Sequence, residues 1–395
     1  MKIYVFEDNQ FSDFFPITST RAVFDVRIGQ STFLERIIKV FPEYSVSLIV
    51  RDNIKEVVSE QHPDFSVNPD YFEDGIWISG SVIWTKDDVK KVSVDNTAFL
   101  NSGRLVAARI SSSNAEKWNS NGGPLKCQPI DVKSENISVN QCNYLWDIIK
   151  SINQTINEDI IDLDAIDKDD FSVTHLINPD KIYINNASIM PGVLINAEKG
   201  PVIIDDNAQV CGQSYIEGPA YVGPNTIISP LTKIKDSVIG ENCKIGGELE
   251  SSVIQGFSNK VHEGHIGDSF LGEWVNLGAG TSNSNLKNNY SSVKVKVNEK
   301  MIDTNRLHIG CFIGDHVKTA IGTLINTGSV IYPASMISSF GLIPNCLPAF
   351  SWYVDRKLDK MDFNKFILTA KEVKGRRNMV FSTTEEVFYK KIANN

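Results

Sequence analysis

From Ile204 the chain places an aliphatic residue at every sixth position: Ile204, Val210, Ile216, Val222, Ile228 and Ile234. After a slip of one residue the series resumes at Ile239 and Ile245. An earlier pair is Ile184 and Met190, and a later one Leu271 and Leu277. A last series, Ile313, Thr319, Ile325, Ile331 and Ile337, is broken only by Thr319. A period of six matches neither the 3.6 of a helix nor the 2 of one strand. It predicts a three-sided parallel β-helix over 176–347. Each side takes one hexapeptide and turns its aliphatic residue inward, and Gly, Asn and Asp turn the corners, as in Ile239-Gly240-Glu241-Asn242 and Ile313-Gly314-Asp315-His316. The stretch holds roughly seven to nine coils. Residues 248–267 and 281–306 interrupt the period and read as loops leaving the solenoid, where function concentrates.

Residues 1–142 read as a mixed α/β domain. Strands are expected at Lys2–Phe6, 45–50, 76–83 and 97–100, with a helix over 33–38. Leu145, Ile148, Ile149, Ile152 and Ile156 fall at helical spacing and predict a helical linker over 143–175. The acidic run 158–170 reads as a solvated connector. A C-terminal helical tail is expected over 348–395. It carries an amphipathic helix on Phe363, Phe366, Ile367, Ala370 and Val373, and a capping-box start at Ser382 and Glu385. This tail is expected to pack on the solenoid end or on a neighbouring subunit.

The 395 residues allow two or three domains, and 42% hydrophobic with 22% charged residues fits a globular chain. A net charge of −9 argues against nucleic-acid partners and against polybasic membrane binding. No apolar run approaches a membrane span, and the apolar stretch 3–6 is too short for a signal peptide. Six scattered cysteines without a Cys-x-x-Cys pair form no disulfide framework. The chain is therefore expected to be reduced and cytoplasmic.

The chemistry centres on Lys260-Val261-His262-Glu263-Gly264-His265-Ile266-Gly267-Asp268, then Val275-Asn276-Leu277-Gly278-Ala279-Gly280-Thr281 and Ser284-Asn285. Where a neutral amine attacks an acyl carbon, its nitrogen must then shed a proton. An imidazole suits that task. Backbone N–H groups of a Gly-Ala-Gly corner, or an Asn amide, can meet the developing oxyanion.

With Phe15-Pro16-Ile17-Thr18-Ser19-Thr20-Arg21, Gly246-Gly247-Glu248, Gly272-Glu273-Trp274 and Phe350-Ser351-Trp352, these motifs resemble one family across nearly the whole chain. It is the bifunctional N-acetylglucosamine-1-phosphate uridyltransferase / glucosamine-1-phosphate acetyltransferase family of cell-wall precursor synthesis, in a divergent subgroup with a reduced nucleotidyltransferase domain. The resemblance implies a Rossmann-like nucleotidyltransferase domain followed by a left-handed β-helix that assembles as a homotrimer. It implies acetyl-CoA as co-substrate, glucosamine 1-phosphate as the leading acceptor, and a nucleotide partner. His262 matches the family's conserved histidine and would be the general base. Asn276 and Asn285 match its two asparagines, and His265 stands where the family has a sugar-contacting tyrosine. Lys260 is a nearby candidate for the sugar phosphate. Gly280, Cys311, Ala320 and Thr327 fall along the acetyl-CoA site.

The sequence also departs from that family. The glycine-rich phosphate loop is replaced by Phe6-Glu7-Asp8-Asn9-Gln10-Phe11, with two carboxylates and no glycine. The position of the aspartate that would hold Mg²⁺ falls near Asn101-Ser102-Gly103-Arg104. Arg21, Arg27 and Arg104 are candidate phosphate forks in compensation. Three alternatives stay open: an acyltransferase with a vestigial first domain, a non-catalytic trimeric scaffold that binds a nucleotide sugar, and a zinc site shared by His262, His265 and His316. No residue is assigned as a metal ligand, and Mg²⁺ stays open as a cofactor of the N-terminal domain. His62, His175 and His308 carry no supporting context.

Overall fold

The computed structural model describes residues 2–161, 163–165, 174–339 and 341–394. In the first domain Lys2–Phe6 is an inner strand of a seven-stranded sheet, parallel to Ser45–Ile49 on one side and to the central strand Gly75–Ser79 on the other. Gly75–Ser79 then pairs antiparallel with Arg104–Ile110. Strands covered on both faces carry continuous apolar runs, as Ile3 to Phe6 and Ile76 to Ile78 do. The helix Phe33–Val40 starts on a capping box, in which the Thr32 hydroxyl and the Glu35 carboxylate satisfy each other's backbone N–H.

The expected linker helix is two helices, Leu145–Lys150 and Ile152–Asp159, and both belong to the first domain's core. The acidic run also begins inside that domain: Glu158 and Asp159 accept from the Arg36 guanidinium at 3.0 and 2.5 Å. Most of the remaining run lies outside the described residues.

The second domain is the parallel β-helix that the period predicts. Ile204, Val210, Ile216, Val222, Ile228, Ile234, Ile239 and Ile245 all point inward and are fully buried. Met190 departs from the series: it is 43% exposed, and Ile189 packs on the core in its place. The prism has three unlike sides. On the first, the outward ladder Ile203, Tyr221, Val238, Val253, Phe270, Phe312 and Val330 is apolar, each residue in register with the next. This ladder shares one hydrophobic core with the first domain, so the two domains are welded by burial of apolar surface. The second side carries Lys244–Ile245, Asn259–Lys260, Asn276–Leu277 and Lys318–Thr319, with the helix Phe363–Gly375 packed nearby. The third side, with Glu248–Glu250, His265–Gly267, Ser282–Asn283 and Leu324–Ile325, is open.

Two expectations change. Residues 248–267 are regular coils, not a loop. The period is lost because Lys260, a polar residue, takes the inward position between Ile254 and Ile266. Within 281–306, Ser282–Asn283 also stays in the coil, and only the hairpin Lys294–Val297 / Lys300–Asp303 leaves it. The hairpin's tip reaches the first domain, where Asn298 donates to Ser12 Oγ at 2.8 Å and Asp13 Oδ1 at 2.9 Å. The solenoid also runs past 347, since Ser351–Val354 adds a strand to the second side and turns Tyr353 inward. The helices Phe363–Gly375 and Thr383–Asn394 follow, the second opened by the Ser382–Glu385 capping box. Among the described residues no helix is long and apolar enough to cross a membrane.

Candidate functional site

His262 stands on a corner between the second and third sides, with its imidazole exposed. The corner is stacked between two glycine corners. A Cβ on Gly246 would lie 1.8 Å from the Val261 carbonyl oxygen, so only glycine lets the lower coil approach. Above it, Gly280 turns at φ +73° and donates its N–H to the Glu263 carbonyl. Lys260 fixes the same corner from inside. Its ammonium donates to the carbonyls of Gly246 at 2.6 Å and of His262 at 3.2 Å. Burial pushes this lysine down to about 8, against a weaker upward pull from Glu263 and Glu248. Lys260 is therefore an interior brace and not the expected contact to a sugar phosphate, because its side chain points into the prism.

On the open side Lys233, Glu248 and His265 stack in register across three coils, as do Lys235, Glu250 and Gly267. Gly267 has no side chain, and His265 and Asn285 close over its bare backbone. A Cβ there would meet His265 Nε2 at 2.6 Å and Asn285 Nδ2 at 2.9 Å. Asn285 donates to Asp268 Oδ2 at 2.6 Å, and Glu248 Oε2 lies 3.8 Å from His265 Nδ1. Burial raises the Asp268 and Asp236 carboxyls. Glu248, Glu250 and His265 bring ligand atoms within 4.8 Å of one another. This third-side ladder, whose His265 lies three residues after His262, thus sets the carboxylates of Glu248, Glu250 and Asp268 beside the ammoniums of Lys233 and Lys235.

The structure brings His265 and Asn285 together and leaves the other candidates elsewhere. Asn276 lies on the second side, facing the C-terminal helix. Gly280 and Ala320 are half-buried on stacked corners, and Thr327 is buried. Cys311 faces the prism interior, fully buried, with its thiol pushed up to about 12 by that burial and 3.4 Å from Ser269 Oγ. Inside the prism it cannot line a cofactor channel. His316 does not join His262 and His265: it is buried among Trp274, Phe366, Phe381 and Tyr389, which holds its imidazole well below its ordinary value.

The three arginines are also corrected. Arg21 donates to Glu273 Oε1 at 3.0 Å and Asp315 Oδ2 at 2.7 Å, and Thr20 joins Asp315 at 2.6 Å. The Phe15–Arg21 and Gly272–Trp274 motifs thus meet as an ionic clamp between domains. Arg27 pairs with Glu241 and donates to the Gln255 carbonyl at 2.9 Å. Arg104 grips both oxygens of Asp8 at 2.7 and 2.8 Å. A guanidinium already paired with carboxylates offers no free fork to a phosphate. At the ends of the central strands the buried Glu7 carboxylate likewise accepts from Arg51 at 2.7 Å. The expected Mg²⁺ position does not fit a metal: Asn101 donates to the Val139 carbonyl and Gln141, and Arg104 brings positive charge.

Sequence reasoning gave no role to Glu248, Glu250 or Asp268. The signal was available in their spacing, since Glu248 and His265 lie one coil apart on alternating, outward positions.

Residues 3–165 match the family model described as sugar nucleotidyl transferase. A bifunctional sugar-1-phosphate nucleotidylyltransferase/acetyltransferase from Sulfurisphaera tokodaii is 38% identical over 154 residues, covering 35% of this chain and 37% of that protein. The bifunctional protein GlmU of Methanocaldococcus jannaschii is 32% identical over 168 residues, 42% of this chain and 38% of its own length. YaiX of Escherichia coli, named an uncharacterized acetyltransferase, is 27% identical over 176 residues, 44% of this chain and 76% of YaiX. The match to the first two relatives thus spans under two fifths of their length. Residues 3–165 are thus similar to sugar nucleotidyl transferases, and the chain is similar over part of its length to bifunctional nucleotidylyltransferase/acetyltransferases.

Proposed function

We propose that the chain transfers the acetyl group of acetyl-CoA to the amine of an amino sugar at the His262 corner, with an amino-sugar phosphate such as glucosamine 1-phosphate as acceptor. The observation that carries this reading is the exposed His262 three residues before His265, which with Asn285 closes over Gly267 near the carboxylates of Glu248 and Asp268. The carboxylates hold the incoming ammonium, which gives one proton to solvent, and His262 takes a second proton from the nitrogen as the neutral amine attacks the thioester carbon. The C–N bond forms, the C–S bond breaks, and the imidazolium returns the proton to the departing CoA sulfur. Ile321, Leu324 and Leu342, exposed by 78, 42 and 60%, form an apolar patch at the later coils, which a neighbouring copy would cover in a homotrimer. Thiol release from acetyl-CoA across a panel of amino sugars, with and without a phosphate, tests the acceptor, and light scattering tests the trimer. Release that no amino sugar stimulates overturns the proposal.

A second reading, nucleotidyl transfer, is favoured by the family match over 3–165. The paired Glu7–Arg51 and Asp8–Arg104 give it little support in this chain. Pyrophosphate release from UTP with N-acetylglucosamine 1-phosphate and Mg²⁺ decides it.

A further inference from the structure

The second side of the prism carries a charge that nothing above uses. Between its outward ladder and the helix Phe363–Gly375 lies a cleft of about 660 Å³. Lys244, Asn259, Asn276 and Lys318 line one wall, in register across four coils. Arg376 and Arg377, from the end of the helix, line the other. These are four cations, and no carboxylate lines the cleft. The nearest counter-charge on the helix is Glu372, exposed and 3.9 Å from Arg376. Arg377 donates to Asn259 Oδ1 at 3.2 Å, which ties the helix to the sheet. Trp274, stacked on Phe257 at 4.6 Å, forms part of the floor.

We propose that this cleft binds the pyrophosphate group of a phosphorylated ligand. Gathering four like charges around a cavity is unfavourable unless an anion neutralises them. A diphosphate supplies matching charge and many acceptor oxygens for the ammonium and guanidinium donors, and the two asparagine amides can add neutral hydrogen bonds. Burial alone holds Lys318 down to about 8, with no carboxylate raising it, as befits a cation whose partner is a ligand. The site also answers a question left by the proposed function, on which this placement rests. The third side around His265 mixes lysines with carboxylates, whereas no carboxylate lines this cleft. Asn259 lies three residues before His262, so at most about 10 Å of chain separates the basic wall from that corner. One ligand with a diphosphate and a reacting group at opposite ends can span both. A nucleotide-linked amino sugar and CoA share that chemistry.

Isothermal titration with inorganic pyrophosphate, UDP and CoA tests the site in the full-length protein. Pyrophosphate is expected to bind, more weakly as salt rises. The Arg376→Gln/Arg377→Gln double variant, altered only at the surface end of the helix, is expected to weaken binding by ~10-fold or more, and Lys318→Gln to do the same. Tighter binding of UDP than of CoA assigns the site to a nucleotide sugar, and the reverse to the acyl donor. Absence of pyrophosphate binding at low salt overturns the proposal, as does binding that survives the surface double variant. His262→Ala separates the two readings: it is expected to abolish acetyl transfer and leave pyrophosphate binding unchanged.

Discussion

Replacing Lys260 with Met examines the interior brace. The native ammonium sits where the repeat demands an aliphatic side chain, and burial brings it down to about 8 from 10.5. That drop corresponds to roughly 3 kcal/mol against the charged form. The folded chain gives up this proton near pH 8, whereas the unfolded chain holds it until about 10.5. Between those values the unfolded state binds more protons, so this lysine makes stability rise with pH across that window. Below pH 8 both states are charged and the penalty is constant. Met removes the penalty but also removes two charge-assisted bonds to the Gly246 and His262 carbonyls, each worth roughly 1.5–3 kcal/mol. The removed penalty offsets half or more of the bonds' combined worth, so Lys260→Met is expected to melt between the wild-type temperature and ~10 °C below it at pH 7. From pH 8 to 10.5 the wild type should gain on the variant by roughly 6–12 °C, since about 3 kcal/mol moves the melting of a unit this size by that much. Scanning fluorimetry of both proteins over pH 7–10.5 reads the difference, in which other titrating groups cancel. Acetyl transfer should fall ~10-fold, because His262 loses its anchor while its imidazole stays. Parallel melting curves across the whole range would refute the buried, depressed lysine.

Further outcomes follow from other contacts. Arg21→Ala strands the buried Asp315 carboxylate and the half-buried Glu273 carboxylate, and is expected to cost about 3–5 kcal/mol and to open the domain junction to limited proteolysis. Gly246→Ala forces a Cβ against the Val261 carbonyl; a melting temperature lowered by ~5 °C or more, with acetyl transfer lost, is expected. Phe270→Ala removes a fully buried ring from the outward ladder and should destabilise the chain by about 3–5 kcal/mol in chemical denaturation.

The inward ladder of the solenoid was legible because one side chain in six must be aliphatic, whatever its neighbours. The outward apolar ladder that joins the domains was harder to see. Tyr221, Val238 and Phe270 each sit one residue before an inward position, so they look like extra hydrophobicity on strands already assigned. Lys260 broke the period and made two regular coils look like a loop. Asn276 and Asn285 are nine residues apart, which is one and a half hexapeptides, and the count alone separates them onto different sides of the prism. The partners of Arg21 were not legible at all: Glu273 and Asp315 lie 252 and 294 residues along the chain, and only the docking of two domains brings them together. The basic cleft was hidden for the same reason, since Arg376 and Arg377 meet Lys318 only after the C-terminal helix folds back.

The role proposed for His262 in acetyl transfer is tested by free-thiol release from acetyl-CoA with glucosamine 1-phosphate, in wild type and in His262→Ala, with melting temperatures matched. Sugar-dependent release is expected, falling by ~10²–10⁴ in the variant. Equal release from the two proteins would contradict that role.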